Sequence, residues 1–302
     1  MDEMNKLFVI EGNAKPLGEG VEAVVYALDD ERVIRVYNSG HEPEKSKLES
    51  LQAFYNSLDG SHVSFEVPEI VSVDINEGTV KTIDKRLHGK NFGEIYETLD
   101  PETKNKTLES YLAASQAIRQ LVPIYPYFGE VLADNPVREK TWTEFLSRKI
   151  QVAYEQGKEA FNQDIPEIQR VVDFMKSQLP LFDDVKDANL VHGDFYVSNV
   201  LVENDEVRAV VDFNDLTLAG DFRMDVASAV TYLGDDGTGA RDSDREFLIN
   251  KLVSQYGERI KDVIHFYELY YALIFASYTK ESDPPTYQRA IATLRQHAAT
   301  KV

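Results

Sequence analysis

Within HGDFYVSNVLV, which begins at His192, a His, an Asp and an Asn fall inside eight residues, and a second Asp follows at Asp212 in VVDF. Asp194 sits on a loop directly after Gly193. With no side chain beside it, its carboxylate can approach a hydroxyl as a general base. NVLVE and VRAVVDF are β-rich and flank Asn204-Asp205, so they read as a hairpin. Asn199 lies where the chain enters the first strand and Asp212 ends the second, so the two can face one site. Two such oxygen donors suit Mg²⁺, which takes one or two protein oxygens and completes its shell with phosphates and water. His192 reads as a hydrogen-bonder that holds the loop, with metal ligation as the other option.

The elements that must position these groups change character along the chain. LFVIEG is a short apolar strand, and VEAVVYAL and RVIRVYN form a hairpin about Asp29-Asp30-Glu31. Pro43 and early acids open a helix whose apolar residues Leu48, Leu51, Phe54 and Tyr55 recur three and four apart. Two further strands, VPEIVSVDI and TVKTIDKRL, meet at Asn76-Glu77-Gly78. HGKNFG is a connector, and from Pro101 the chain is mostly helical apart from the hairpin described above. The expected organisation is α+β and bilobal: a β-rich lobe over residues 1–88, a larger helical lobe over 89–302, and a hinge about 84–92.

The first lobe supplies complementary groups. Gly18 and Gly20 precede a strand, the setting of a glycine loop over nucleotide phosphates. Arg35 alternates with Ile34 and Val36, so it occupies one strand face, and its guanidinium fork suits phosphate oxygens. Glu49 in the following helix is the expected partner of Arg35, with Glu44 as its rival.

Bulk composition narrows the function. With 32 Lys and Arg against 52 Asp and Glu, the net charge of −20 argues against a nucleic-acid surface and accommodates a cationic small molecule. There is no Cys, hence no disulfide, thiolate nucleophile or Cys-ligated metal. MDEMNKLFVIEG is acidic and its apolar part is too short for a signal peptide. The apolar run from Tyr267 to Tyr278 contains Glu268 and falls short of the roughly 20 residues of a membrane span. A cytoplasmic protein with no membrane or nucleic-acid partner, monomeric or homodimeric, is expected.

His-x-Asp-x-x-x-x-Asn is the spacing of a kinase catalytic loop, and the later Asp-Phe resembles the metal-binding Asp-Phe-Gly. HGDFYVSNVLV followed by AVVDFNDLTLAGDFRMDVA resembles the aminoglycoside phosphotransferase and choline kinase family of small-molecule kinases over nearly the whole chain. The carrying motifs are His192-Gly193-Asp194, Asp212-Phe213 and Gly220-Asp221 through Asp225. The resemblance implies a kinase-like fold with Asp194 as catalytic base and Asn199 and Asp212 on Mg²⁺. It also implies Arg35 on the phosphates of ATP or GTP, and Arg86, Leu87 and His88 in the hinge at the base. Asp225 would brace the catalytic loop. Arg35 stands where the family usually has Lys, and Asn214 replaces the Gly of Asp-Phe-Gly.

The expected acceptor is the hydroxyl of a small molecule, an aminoglycoside first. Macrolides, homoserine, methylthioribose, choline-like alcohols and fructosamines are the alternatives. Asp215, Asp235, Asp236 and Glu268 are candidate substrate carboxylates. The acidic segment from Gly234 to Asp244 either closes over substrate or connects helices. The segment from Asp212 to Asp225 is too short for a long activation loop and no Ala-Pro-Glu follows, which disfavours a protein kinase. A metal-dependent hydrolase would need clustered His ligands, which the six His residues do not offer. A nucleotide-binding regulatory protein without turnover is the remaining rival.

Overall fold

The computed structural model describes residues 16–19, 22–76, 79–233 and 242–300. The expected strand LFVIEG, Gly20, Asp235 and Asp236 lie outside them.

The first sheet has five strands in the order β1-β2-β3-β5-β4. These are β1 (Gly18–Glu19), β2 (Ala23–Ala27), β3 (Arg32–Tyr37), β4 (Ile70–Asn76) and β5 (Thr79–Lys85). The β2–β3 turn is closed by Asp29. Its Oδ1 accepts the amides of Glu31 and Arg32 at 3.0 and 2.7 Å, and the Arg32 guanidinium returns to Oδ2 at 2.8 Å. In β5 the side chains alternate between buried and half-buried or exposed positions, as a strand covered on one face must. Helix α1 (Lys45–Ser57) buries Leu48, Phe54 and Tyr55, three of the four apolar residues that predicted it.

After β5, residues 86–89 lead into β6 (Lys90–Asn91), which pairs with β10 (Val200–Glu203) of the predicted hairpin. Gly89 has φ +119°, and a Cβ there would lie 3.1 Å from Val202 O, so the connector runs close against β10. The hairpin partner is β11 (Glu206–Val210), and Asn204 and Asp205 both take positive φ, 52° and 67°. That is the two-residue turn whose twist matches the strands, and Asn and Asp tolerate it. β11 stops at Val210, so Asp212 lies beyond the strand rather than at its end. Glu66 adds a second tie, donating its amide to Arg208 O and accepting that of Val210 at 2.8 and 3.0 Å.

A four-stranded sheet was not expected. It comprises β7 (Phe128–Glu130), β8 (Arg138–Glu139), β9 (Asn189–Val191) and β12 (Leu218–Gly220), in the order β8-β7-β12-β9. β9 feeds the His192 loop, and β12 precedes Asp221. The longer helices that follow are α2 (Pro101–Ala117), α3 (Trp142–Asp164), α4 (Ile168–Gln178), α5 (Arg223–Thr231), α6 (Asp242–Tyr256), α7 (Ile260–Ala276) and α8 (Pro284–Thr300), and α3 lies against β7 and β8. Asp100 caps α2 by accepting the amides of Glu102 and Thr103, and a capping box of Thr141 and Glu144 opens α3. The apolar run around Tyr267 falls largely in α7, which buries Phe266, Tyr267, Leu269, Tyr270 and Leu273. Among the described residues no helix is long and apolar enough to cross a membrane.

Candidate active site

Gly193 determines the geometry of the catalytic loop. It has φ +82°, and a Cβ there would lie 2.6 Å from the Leu216 carbonyl carbon and closer still to its oxygen. Only Gly fits, which explains why no Arg stands between His192 and Asp194. The loop is braced from below by Asp225 on α5, whose two oxygens accept the amides of His192 and Gly193 at 2.8 and 2.9 Å. Asp225 is 1% exposed. Burial pushes its carboxyl up to about 7 against the pull of those two amides.

His192 is fully buried, and burial lowers its imidazole to about 4, so it is neutral. Its Nε2 lies 2.9 Å from Val211 O and its Nδ1 lies 3.3 Å from the Asp194 amide. Nε2 therefore carries the proton and Nδ1 accepts. Both nitrogens are engaged, so His192 holds the loop and the metal-ligand option falls. Its ring packs 4.4 Å from Phe213, which in turn meets Phe54 and Tyr55 of α1.

Asp194 projects from this support. Burial first, then the charge of Asp212, push its carboxyl up to about 6, while the amides of Asn214 and Asn199 act in the opposite sense. Those amide nitrogens reach Asp194 Oδ2 at 3.3 and 3.4 Å. Asn199 Nδ2 also donates to the Asp194 carbonyl at 2.9 Å, which commits its nitrogen and leaves its oxygen as the donor atom for a cation. The Val211 amide bonds Asn199 O at 3.0 Å, and Asp212 follows at φ +68° and is exposed. That backbone bond brings the Asn199 and Asp212 positions near each other, and two such hard oxygens are of the type that would suit Mg²⁺. No group of three or more His, Cys, Asp or Glu residues suited to a metal occurs among the described residues. An ion here would complete its shell with phosphate and water.

Arg35 feels the charge of Asp212. Its partner, however, is Asp84 on β5, reached by Nε at 3.2 Å. Glu49 pairs with Lys45 at 3.4 Å and its side chain is 58% exposed, so it points to solvent. Glu44 lies at the α1 N-cap and accepts from Ser46. Neither acid meets Arg35. In the connector, the Arg86 amide and guanidinium bond Glu31 O and Asp29 O, so its side chain is anchored on the β2–β3 turn. Leu87 is half-buried and His88 exposed. A Cβ at Gly18 would meet nothing within 4 Å among the described residues.

A cavity of about 680 Å³ opens beside Asp194. Glu268 lines it, with Asp283, Arg245, Arg289 and the aromatic rings of Tyr196 and Tyr278. Asp215 does not line it; it is exposed and ion-paired to Lys47 of α1. One further group was recorded in the sequence only as a departure. Asn214, in the place of a glycine, donates to Asp194 and organises the turn to Thr217, whose amide bonds Asn214 O at 2.9 Å. Behind the site, Trp142 Nε1 donates to Tyr267 OH at 2.9 Å, and Tyr267 donates to Asp221 at 2.7 Å. Trp142 covers Gly220 so closely that a Cβ would enter its ring. The start of α3 is thereby tied to Gly220-Asp221.

A β-sheet region joined to a larger helical part, with an Asp-bearing loop at their junction, defines a kinase-like phosphotransferase fold. Residues 13–251 match the family model described as the Phosphotransferase enzyme family, and the chain belongs to that family. It is a nucleotide-dependent small-molecule phosphotransferase. Among solved structures, the gentamicin complex of APH(2")-IIa is similar at TM-score 0.62 and 16% identity, covering 98% of this chain and 96% of that one. The GDP and kanamycin complex of APH(2")-IIia gives 0.63 and 11%, covering 99% and 100%. The aminoglycoside phosphotransferase APH(3'')-Id from Streptomyces rimosus gives 0.52 and 15%, covering 97% of each chain. No curated protein matches in sequence.

Proposed function

We propose that this protein transfers the γ-phosphoryl of ATP or GTP to a hydroxyl of an aminoglycoside-type acceptor bound in the cavity beside Asp194. The observation that carries it is the placement of Asp194. One carboxylate lines the acceptor cavity and also adjoins Asn199, Asn214 and the charge of Asp212. Asp194 orients the hydroxyl and takes its proton. Asn199 and Asp212 hold Mg²⁺, which neutralises phosphate charge when bound. Arg35 holds phosphate oxygens, and residues 86–88 border the base. The division into a nucleotide lobe over 1–88 and an acceptor lobe over 89–302 follows from those roles.

An aminoglycoside reading is supported by the size of the cavity and by Glu268 and Asp283 on its wall. Homoserine or a choline-like alcohol would fill only a small part of that volume. The similar solved structures hold gentamicin, kanamycin or streptomycin. The test is ADP and GDP release with Mg²⁺ across aminoglycosides, macrolides and small metabolic alcohols. Turnover confined to aminoglycosides supports the reading. Turnover confined to another class overturns the acceptor, and binding of Mg-nucleotide without turnover on any class favours the regulatory alternative.

A further inference from the structure

The register of β3 and β5 sets Arg35 opposite Thr82 and Val33 opposite Asp84. Side chains two apart share a strand face, so Arg35, Thr82 and Asp84 stand together on one face. Asp84 is 8% exposed and is the inner member of the pair, while the Arg35 side chain, 43% exposed, is the outer one. The contact is made by Arg35 Nε to Asp84 Oδ2. A guanidinium held through Nε keeps its terminal nitrogens for other partners, and the Tyr37 hydroxyl on the same face of β3 is one of them. Asp84 Oδ1 and Thr82 Oγ1 are buried without a hydrogen-bond partner. The Thr82 hydroxyl and Arg35 both act on the Asp84 carboxyl, yet a buried carboxylate still costs stability, and its retention calls for a role.

We propose that Asp84 is the positioning residue for nucleotide binding: it holds Arg35 by Nε so that the rest of the guanidinium is aimed at the phosphates. This rests on the reading of Arg35 as a phosphate-binding group. The two partners belong to adjacent strands of one sheet, so the bond between them does not involve α1, although Tyr55 of that helix lies near enough to act on Arg35. The acids that α1 carries toward its N-terminal end point elsewhere, Glu49 to Lys45 and Glu44 to Ser46. Displacement of α1 therefore leaves the phosphate-binding cation in place. Control of this protein through that helix would have to act on Asp215, which Lys47 contacts, or on Phe213, and not on Arg35.

The test is calorimetric binding of Mg-ADP to the wild type and to Asp84→Asn, Asp84→Leu, Arg35→Met, Glu49→Gln and the Arg35→Met/Asp84→Asn pair, with melting curves for each. Asp84→Leu keeps the branching at Cγ while removing the charge and both acceptors, and serves if the Asn variant does not fold. Arg35→Met weakens binding, which secures the underlying reading; wild-type affinity in that variant overturns it and the inference together. Loss of one charge-assisted bond predicts about tenfold weaker binding in either Asp84 variant. In the Arg35→Met background Asp84→Asn brings no further loss, and the acceptor KM of Asp84→Asn stays at the wild-type value. Wild-type affinity in the Asp84 variants, an equal loss with Arg35 already removed, or a loss of the same size in Glu49→Gln would each overturn the inference.

Discussion

Replacing Gly193 by Ala tests whether the catalytic loop is held as tightly as the structure indicates, and two other glycines calibrate it. Gly18 has open space within 4 Å and no positive φ; Gly40 has open space at φ +84°; Gly193 has φ +82° and Leu216 in the way. Gly18→Ala should change stability by less than about 0.5 kcal/mol. Gly40→Ala should cost about 1–2 kcal/mol, the penalty of a Cβ in the left-handed region. Gly193→Ala carries that penalty plus about 1–3 kcal/mol for displacing packed backbone, a total of about 2–5 kcal/mol. At about 2 °C per kcal/mol for a chain of this size, the three melting points should fall by about 0–1, 2–4 and 4–10 °C. The kinetic consequence follows from what Leu216 holds. Its amide bonds Asn214 Oδ1 at 2.8 Å, so moving it carries Asn214 away from Asp194. We expect kcat of Gly193→Ala to drop at least about tenfold with the nucleotide KM nearly unchanged, the signature of a lost transition-state arrangement. Differential scanning calorimetry and steady-state kinetics read both arms. If Gly193→Ala melts with Gly40→Ala and keeps its kcat, the loop is not rigidly seated on Leu216 and the reasoning fails.

Asp225→Asn offers one acceptor where two amides need them, and its NH₂ group would oppose the other amide. Turnover should fall about tenfold or more, measured beside a melting curve that also shows lost stability. Tyr267→Phe strips the hydroxyl that links Trp142 Nε1 to Asp221 and should cost about 1–3 kcal/mol in chemical denaturation with little change in KM. Thr141→Ala removes the capping box of α3 and should cost about 1 kcal/mol in the same assay. Asp212→Asn weakens the cation site, so Mg²⁺ titrations of activity should shift to higher concentration, and chelation should abolish turnover in every variant.

The hairpin that carries the site was legible because β-branched runs around Asn204-Asp205 leave few other conformations. The hydrogen bonding of His192 within its loop was legible too, while its exclusion as a metal ligand needed the positions of Val211 O and the Asp194 amide. The four-stranded sheet was not, because strands of two or three residues such as β8 and β12 have no period to detect. The partner of Arg35 was missed for a different reason. Helical spacing shows that Glu44 and Glu49 share a helix, but not which way the helix turns its acids, and α1 buries the stripe of Leu48, Phe54 and Tyr55 instead. Asp84 was hidden because pairing β3 with β5, not with its sequence neighbour β4, is a property of the sheet. Among the candidate substrate carboxylates, Glu268 lines the cavity while Asp215 is turned to Lys47, and their sequence surroundings do not distinguish the two.

The central claim is that Asp194 serves phosphoryl transfer to an acceptor hydroxyl, and phosphorus NMR of the reaction mixture tests it most directly. Wild-type protein with Mg-ATP or Mg-GTP and an aminoglycoside should convert the γ-phosphoryl into a phosphomonoester on the acceptor. Asp194→Asn should form none, while binding Mg-nucleotide and melting like the wild type. Phosphomonoester formed at the wild-type rate by Asp194→Asn would contradict the account.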